Sequence, residues 1–169
     1  RRVGCPGKKV VYASVGKTER EIEEALSYGI LFFNVESLPE LRLINKVSKR
    51  LRKVAQVAIR LNPDVEAKTH KYITTGKITN KFGIDFKTAT NIFLRQNEFD
   101  SVKVNGIHIH IGSQITESAP FVAAIKKVIA YATELKNSGV KLEYLNIGGG
   151  LGVIYNQESP QTAREFARN

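Results

Sequence analysis

The sequence has no methionine and no tryptophan, and its one cysteine is Cys5. A single thiol can neither close an internal disulfide nor build a cysteine-rich metal cluster. Disulfide-stapled secreted scaffolds are therefore excluded, and a reducing, cytoplasmic setting is expected. No nucleophile motif surrounds Cys5. No apolar run reaches the about 18 residues of a membrane span, so no membrane partner is expected. Acidic residues are scarce: 16 Asp and Glu face 26 Lys and Arg, a net charge of +10. Such an excess can mark a nucleic-acid footprint. Here the basic residues are spread along the chain, and pairs such as Lys8-Lys9 and Lys126-Lys127 belong on solvated faces. No RNA-binding motif with interleaved aromatics accompanies them. Attraction for small anionic ligands is the simpler reading, and no nucleic-acid partner is expected.

What is present is ordinary for a globular α/β chain: 42% apolar and 25% charged residues. A length of 169 residues is one domain or a piece of one. The opening Arg1-Arg2-Val3-Gly4-Cys5-Pro6 does not resemble a translation start, and the stretch from Pro160 reads as a helix cut at Asn169. A segment of a longer polypeptide is expected.

Strand and helix patterns alternate five times. Val10–Ser14 is β-rich. Thr18 with Glu21 forms a capping box for a helix carrying Ile22, Ala25 and Leu26, which Gly29 closes. Ile30–Val35 is a strand, with Leu31, Phe33 and Val35 on one face and Asn34 and Glu36 on the other. Ser37 with Glu40 reads as a second capping box, with Pro39 in the first turn and Leu41, Ile44, Val47 and Leu51 at helical spacing. Ala55–Leu61 is a strand ending at Asn62-Pro63-Asp64. About twenty residues without periodicity follow, through His70, Gly76, Asn80 and Lys81, and a loop of that length is usually functional or disordered. Asp85 caps a helix with Ala89, Ile92 and Phe93. After the histidine strand, Ser118 caps a long helix whose expected stripe is Val122, Ile125, Ile129, Ala132 and Leu135, ended by Gly139. Leu142–Ile147 is the fifth strand, and Ser159-Pro160 opens the last helix.

The stretch Gly106-Ile107-His108-Ile109-His110-Ile111-Gly112-Ser113-Gln114 holds two of the three histidines. Alternate strand residues share a face, so His108 and His110 point one way and the isoleucines the other. Alone, this pattern also fits a core strand with two hydrogen-bonded histidines.

The alternation argues for a parallel sheet covered by helices, either an open doubly wound sheet or part of an eight-stranded barrel. Four of the five strands carry polar residues of one parity near their ends: Asn34/Glu36, Arg60/Asn62, His108/His110 and Asn146. An open sheet covered on both faces should be apolar on both. A barrel points one face of each strand inward and places its site at the strand C-termini. The expected fold is therefore α/β, a partial (β/α)8 TIM-type barrel with about five βα units.

The run Gly148-Gly149-Gly150-Leu151-Gly152 follows a strand. Glycines there let backbone amides approach a phosphate, although a plain tight turn is an alternative. Val153 breaks the dinucleotide fingerprint, and Val11 stands where a P-loop around Gly16-Lys17-Thr18 needs its first glycine. Ser113 is a second phosphate donor. His-x-His could ligate a metal, but no third ligand has convincing spacing. A phosphate-bearing cofactor is the better fit.

The chain resembles the fold-type III pyridoxal-phosphate decarboxylases, and among them the diaminopimelate branch. The matching stretches are Gly-Ile-His-Ile-His-Ile-Gly-Ser-Gln-Ile at 106–115, Leu-Asn-Ile-Gly-Gly-Gly-Leu-Gly at 145–152, Asn-Pro-Asp-Val-Glu-Ala-Lys-Thr-His at 62–70, Thr-Gly at 75–76, Asn-Lys-Phe-Gly-Ile at 80–84 and Phe-Asn-Val-Glu-Ser at 33–37. The resemblance implies an alanine-racemase-like barrel that binds pyridoxal 5'-phosphate and decarboxylates meso-diaminopimelate to L-lysine, in a homodimer. It implies that His110 stacks on the cofactor ring and that Ser113 with the amides of Gly148, Gly149 and Gly150 holds the phosphate. It places Arg60 near the ring and its phenolic oxygen, and gives His108 a supporting role. Ornithine- or arginine-type relatives and a non-catalytic remnant are the alternatives.

The departures are specific. The family's Schiff-base lysine lies in a Tyr-Ala-x-Lys-type motif that is absent, and Lys17 does not match its place. The Glu-Pro-Gly-Arg stretch and the C-terminal β-domain with its Cys-Glu motif are absent too. Residues 1–169 are therefore expected to be the central segment of one pyridoxal-phosphate-binding barrel domain, inactive alone. Ser14 stands where relatives often carry glycine, and Asn146 where many carry aspartate.

Overall fold

The computed structural model describes residues 3–65, 82–155 and 157–169. Five parallel strands form one sheet in chain order: β1 (Val11–Tyr12), β2 (Phe32–Val35), β3 (Ala55–Leu61), β4 (Val102–Ile109) and β5 (Tyr144–Asn146). Helices α1 (Glu19–Tyr28), α2 (Leu38–Arg50), α3 (Phe86–Leu94) and α4 (Ala119–Asn137) fill the crossovers, and α5 (Ala163–Phe166) follows β5. A doubly wound sheet reverses its strand order at a switch point. Here the order is sequential, so right-handed crossovers lay every helix on one face.

The sheet is curled. The rings of Phe32 on β2 and Tyr144 on β5 meet with centroids 5.0 Å apart. In a flat sheet those strands, three positions apart, would be separated by about 14 Å. Two small residues, Ala58 and Gly106, sit side by side on the strands between them and leave room for the ring pair. The result is a half barrel with helices outside, as the polar parity predicts.

The core lies between sheet and helices. Phe33 and Val35 from β2, Val57, Ile59 and Leu61 from β3, and Val102, Val104, Ile107 and Ile109 from β4 meet Ile22, Leu41, Ile44, Val47, Phe93 and Val128 from the helices. Each fully buried side chain of this size contributes about 1.5–3 kcal/mol.

The outward residues of β4 change parity, from 102 and 104 to 107 and 109. The pairing with β3 slips at the same point: Val57 faces Val104 and Ala58 faces Gly106. Asn105 is the extra residue of a β-bulge. It is buried, and its amide nitrogen donates to Gln56 Oε1 at 2.9 Å. Without the bulge, His108 and His110 would share parity with Val102 and Val104 and face the helices. With it, they face the barrel interior.

Most local signals act as expected. Thr18 and Glu21 form a reciprocal capping box, Gly29 adopts φ 71, and Asp85 accepts from the Thr88 amide at 2.9 Å. Several differ. Ser37 accepts from the Glu40 amide, but the Glu40 carboxylate turns away to Lys17 and the Glu36 amide, so the second capping box is only half made. Ser118 has helical dihedrals and no capping side-chain bond; its amide donates to Gln161 Oε1. The buried face of α4 is Phe121, Ala124, Val128, Tyr131 and Leu135, while Ile129 is 52% exposed. Two stripes of equal spacing competed, and aromatic packing selects this one: Phe121 lies edge-on to Phe166 and Tyr131 edge-on to Phe86. The last helix starts at Thr162, whose capping box with Glu165 outcompetes Ser159-Pro160. β1 and β5 are shorter than expected, because each has a single strand partner in this sheet. Residues 66–70, the Thr-Gly pair at 75–76, Asn80 and Lys81 lie outside the described residues.

A Cβ on Gly106 would come within 2.8 Å of the Ala58 Cβ and 3.2 Å of the Tyr144 Cβ. Gly106→Val should therefore destabilise the protein by about 1–3 kcal/mol. Urea unfolding checks this, and an unchanged midpoint would contradict the interior packing.

Candidate functional site

The C-terminal ends of the strands surround an interior cavity of about 380 Å³ lined by Ser14, Asn34, Glu36, Arg60, His108, His110, Asn146, Gly148 and Gly149, with Val11 and Ala13. A second cavity of about 250 Å³ shares Arg60 and His110 and adds Asn62, Phe82, Gly112 and Ser113. Arg60, His110, Gly148, Gly149 and Ser113 thus gather around one barrel mouth. Arg60, His108 and Asn146 sit in one register layer, so their side chains enter at the same height.

An ion-pair network runs along this layer. Arg60 Nη1 donates to Glu36 Oε2 at 2.6 Å, and its Nη2 donates to the His110 carbonyl at 3.4 Å. Arg60 therefore ties the ends of β2 and β4 together through β3. The Glu36 amide donates to Glu40 Oε2 at 3.4 Å. Glu40 Oε1 accepts from Lys17 Nζ at 2.6 Å. The Lys17 ammonium also donates to the carbonyls of Ser14 and Asn34, at 2.6 and 2.7 Å, and lies 5.4 Å from the Tyr12 ring centroid. All three of its protons are taken, and its side chain is fully buried. Lys17 is thus a staple between the ends of β1 and β2. Burial holds the Glu40 carboxyl above its ordinary range, against the pull of the Lys17 hydrogen bond and charge.

Ser14 adopts φ 130, a conformation that favours glycine, while its carbonyl serves Lys17. The strain, of order 1–3 kcal/mol, explains why glycine suits this position.

Both histidines are held neutral. Burial first, then the charges of Arg60, His110 and Lys17, lower the His108 pKa from 6.5 to about 3. Burial and Arg60 lower that of His110, opposed by Glu36. His110 lies one residue past β4, half-buried, and its Nδ1 accepts from the Gly149 amide at 3.4 Å. Its remaining proton is then on Nε2.

The glycine run is shaped by close approach. A Cβ on Gly148 would strike the Ile109 carbonyl oxygen, and one on Gly150 the Gly112 carbonyl oxygen; these residues have φ 76 and 109. Gly149 faces open space. Asn146 Oδ1 accepts from the Gly148 amide at 2.9 Å and starts the turn. An aspartate oxygen could accept the same bond, so Asn for Asp is a mild change. Ser113 is exposed in the loop after β4.

Sequence reasoning missed the Lys17–Glu40 staple, the Glu36–Arg60 pair as a unit, and Asn146 as the shaper of the glycine loop. The inward parity of Glu36 and Asn146 was the available signal. For Lys17 there was none, because its partners, the Glu40 carboxylate and the carbonyls of Ser14 and Asn34, come from separate segments. Among the described residues no cluster of His, Cys, Asp and Glu could hold a metal, and no helix is long and apolar enough to cross a membrane.

Two outcomes follow. Lys17→Met strands the buried Glu40 carboxylate and should cost about 3–5 kcal/mol, while the double change with Glu40→Gln should cost less. Equal losses in urea unfolding would contradict the staple. The unfolded chain protonates His108 near 6.5, whereas the folded chain resists until about 3. This imidazole's contribution is whole above 6.5 and is lost as pH falls through that window. His108→Gln should therefore show a smaller loss of unfolding free energy between pH 7 and 5 than the unsubstituted protein; equal losses would contradict a neutral buried imidazole.

Known proteins resemble this chain in sequence and fold. The family model for the pyridoxal-dependent decarboxylase, pyridoxal binding domain, covers residues 1–169. A diaminopimelate decarboxylase from Vibrio cholerae is 46% identical over 165 residues, 98% of this chain and 40% of that protein. One from Aquifex aeolicus is 43% identical over 163 residues, 96% of this chain and 39% of that protein. The crystal structure of diaminopimelate decarboxylase from Helicobacter pylori complexed with L-lysine superposes with a TM-score of 0.89 at 38% identity, covering 99% of this chain and 42% of that one. The chain spans about two fifths of the length of the relatives it matches. With its curled sheet, glycine loop and match along the whole chain, it belongs to the pyridoxal-dependent decarboxylases, as part of their pyridoxal-binding barrel.

Proposed function

We propose that this chain is the central barrel segment of a diaminopimelate decarboxylase, which converts meso-diaminopimelate to L-lysine and carbon dioxide. The carrying observation is the barrel mouth itself. Arg60, His110, Ser113, Gly148 and Gly149 meet around two adjoining cavities, in a chain 46% identical to a diaminopimelate decarboxylase over nearly all its length.

The residues fit pyridoxal phosphate. The loop is open at Gly149, and Ser113 is exposed beside it. Two buried polar atoms, Glu36 Oε1 and His108 Nδ1, have no hydrogen-bond partner among the described residues, and their side chains line the same cavity. When bound, the cofactor's protonated pyridine ring accepts the electron pair that decarboxylation leaves on the substrate's α-carbon. Ser113 and the amides of Gly148, Gly149 and Gly150 would hold the phosphate, the first two amides exchanging their bonds to Asn146 Oδ1 and His110 Nδ1 for phosphate oxygens. His110 would lie against the ring face, where a neutral imidazole stacks without adding charge. Arg60 holds the His110 carbonyl and would set that imidazole's position. The Glu36 carboxylate balances the guanidinium, so the pocket gains a directed donor without a bare charge.

The same reading places the anchoring lysine, the substrate-contacting Glu-Pro-Gly-Arg stretch and the β-domain elsewhere in a longer polypeptide. It includes a homodimer and a cytoplasmic location, the latter in keeping with a single cysteine. The full-length protein should release carbon dioxide and L-lysine from meso-diaminopimelate. The 169-residue segment alone should release none above background. Polyamine formation from ornithine or arginine instead would move the protein to another branch of the family, and loss of all activity at full length would mark a non-catalytic remnant.

A further inference from the structure

β4 and β5 pair as strands only from Gly106 to His108 and from Tyr144 to Asn146. Beyond that the ladder stops, though the chains stay close, with Gly148 against Ile109 and Gly150 against Gly112. Pairing then resumes. Ile115 and Leu151 form a parallel bridge, in which the Ile115 amide donates to the Gly150 carbonyl and the Gly152 amide to the Ile115 carbonyl, both at 2.9 Å.

Gln114 extends that junction with its side chain. Its Oε1 accepts from the Val153 amide and its Nε2 donates to the Val153 carbonyl, each at 3.0 Å. The primary amide thus copies the two-bond pairing of a neighbouring strand, and it grips the main chain of one residue. Gln114 holds φ 57, a conformation unfavourable for a residue with a side chain. The strain is retained where two bonds to one partner over-determine it. Its neighbour on one side is Ser113, and its grip falls three residues after Gly150.

We propose that Gln114 is a positioning residue that clamps the glycine loop against the loop after β4 and so presets the phosphate cup. This rests on the cofactor reading above. Gln114 touches neither ring nor phosphate in that reading; it acts through the backbone of residues 150–153. The main chain of the loop then already stands in place when phosphate arrives, which is where preorganisation gains affinity.

The test is a pair of titrations on the full-length protein, one with pyridoxal 5'-phosphate and one with pyridoxal, followed by absorbance. Gln114→Ala should weaken pyridoxal 5'-phosphate about 5- to 20-fold, as for loss of one or two modest hydrogen bonds, and leave pyridoxal within about twofold. Gln114→Glu keeps the acceptor, loses the donor and should fall at least as far. Hydrogen exchange at the Val153 amide should quicken in both variants without cofactor. An unchanged affinity for pyridoxal 5'-phosphate, or equal weakening of both ligands, would overturn the clamp. If the unsubstituted protein itself fails to prefer the phosphorylated ligand, the phosphate reading falls and the clamp's purpose with it. A variant with an altered thermal midpoint is replaced by Gln114→Asn, which is too short to reach both atoms of Val153 and should reproduce the selective loss.

Discussion

Asn105 decides which way the second half of β4 faces. A strand alternates strictly, so a chain that presents Val102 and Val104 to the helices must present His108 and His110 to them as well. The bulge breaks that rule once. Below it the apolar residues have even numbers, above it odd, and both sets reach the same helical layer. The histidines are released to the interior, and burial there keeps them neutral. A bulge next to a site re-aims side chains while disrupting the ladder locally. Here the ladder loss is offset by the Asn105 bond to Gln56 and by the continuous apolar layer outside.

The inward layer depends on this turn in a second way. Gly106, directly after the bulge, lies against Ala58 and beneath Tyr144, and the small pair lets Phe32 and Tyr144 meet across the curl. The curl in turn brings Glu36, Arg60, His110 and Asn146 around one cavity instead of along a flat row. Lys17 and Glu40 brace the rim at β1 and β2, Arg60 spans β2 to β4, and Asn146 and Gln114 set the glycine loop beyond β5. The strand ends are thus linked by directed polar contacts while the floor is held by packing.

Much of this was legible in the residues. The five-fold alternation, the Thr18–Glu21 box and the Asp85 cap are local signals, and local chemistry decides them. The inward polar parity of Glu36, Arg60, His108 and Asn146 separated a barrel from a doubly wound open sheet, because a sheet covered by helices on both faces is apolar on both. What stayed hidden depends on partners distant in sequence. The buried face of α4 could not be chosen between two stripes of equal spacing until Phe86 and Phe166 were placed against it. Glu40 reads locally as a capping carboxylate, yet a buried ammonium 23 residues away claims it. The bulge itself left a trace, the parity change between Val104 and Ile107, which is visible only when both apolar sets are required to share a side.

In the proposed reading, this bulged, curled half barrel presents a phosphate cup and a neutral imidazole to one pyridoxal phosphate. A crystal structure of the full-length protein with that cofactor tests it most directly. Phosphate oxygens are expected within hydrogen-bond reach of Ser113 and the Gly148–Gly150 amides, with the ring lying on the His110 imidazole. A phosphate bound elsewhere, with His108 and His110 turned toward the helices, would contradict it.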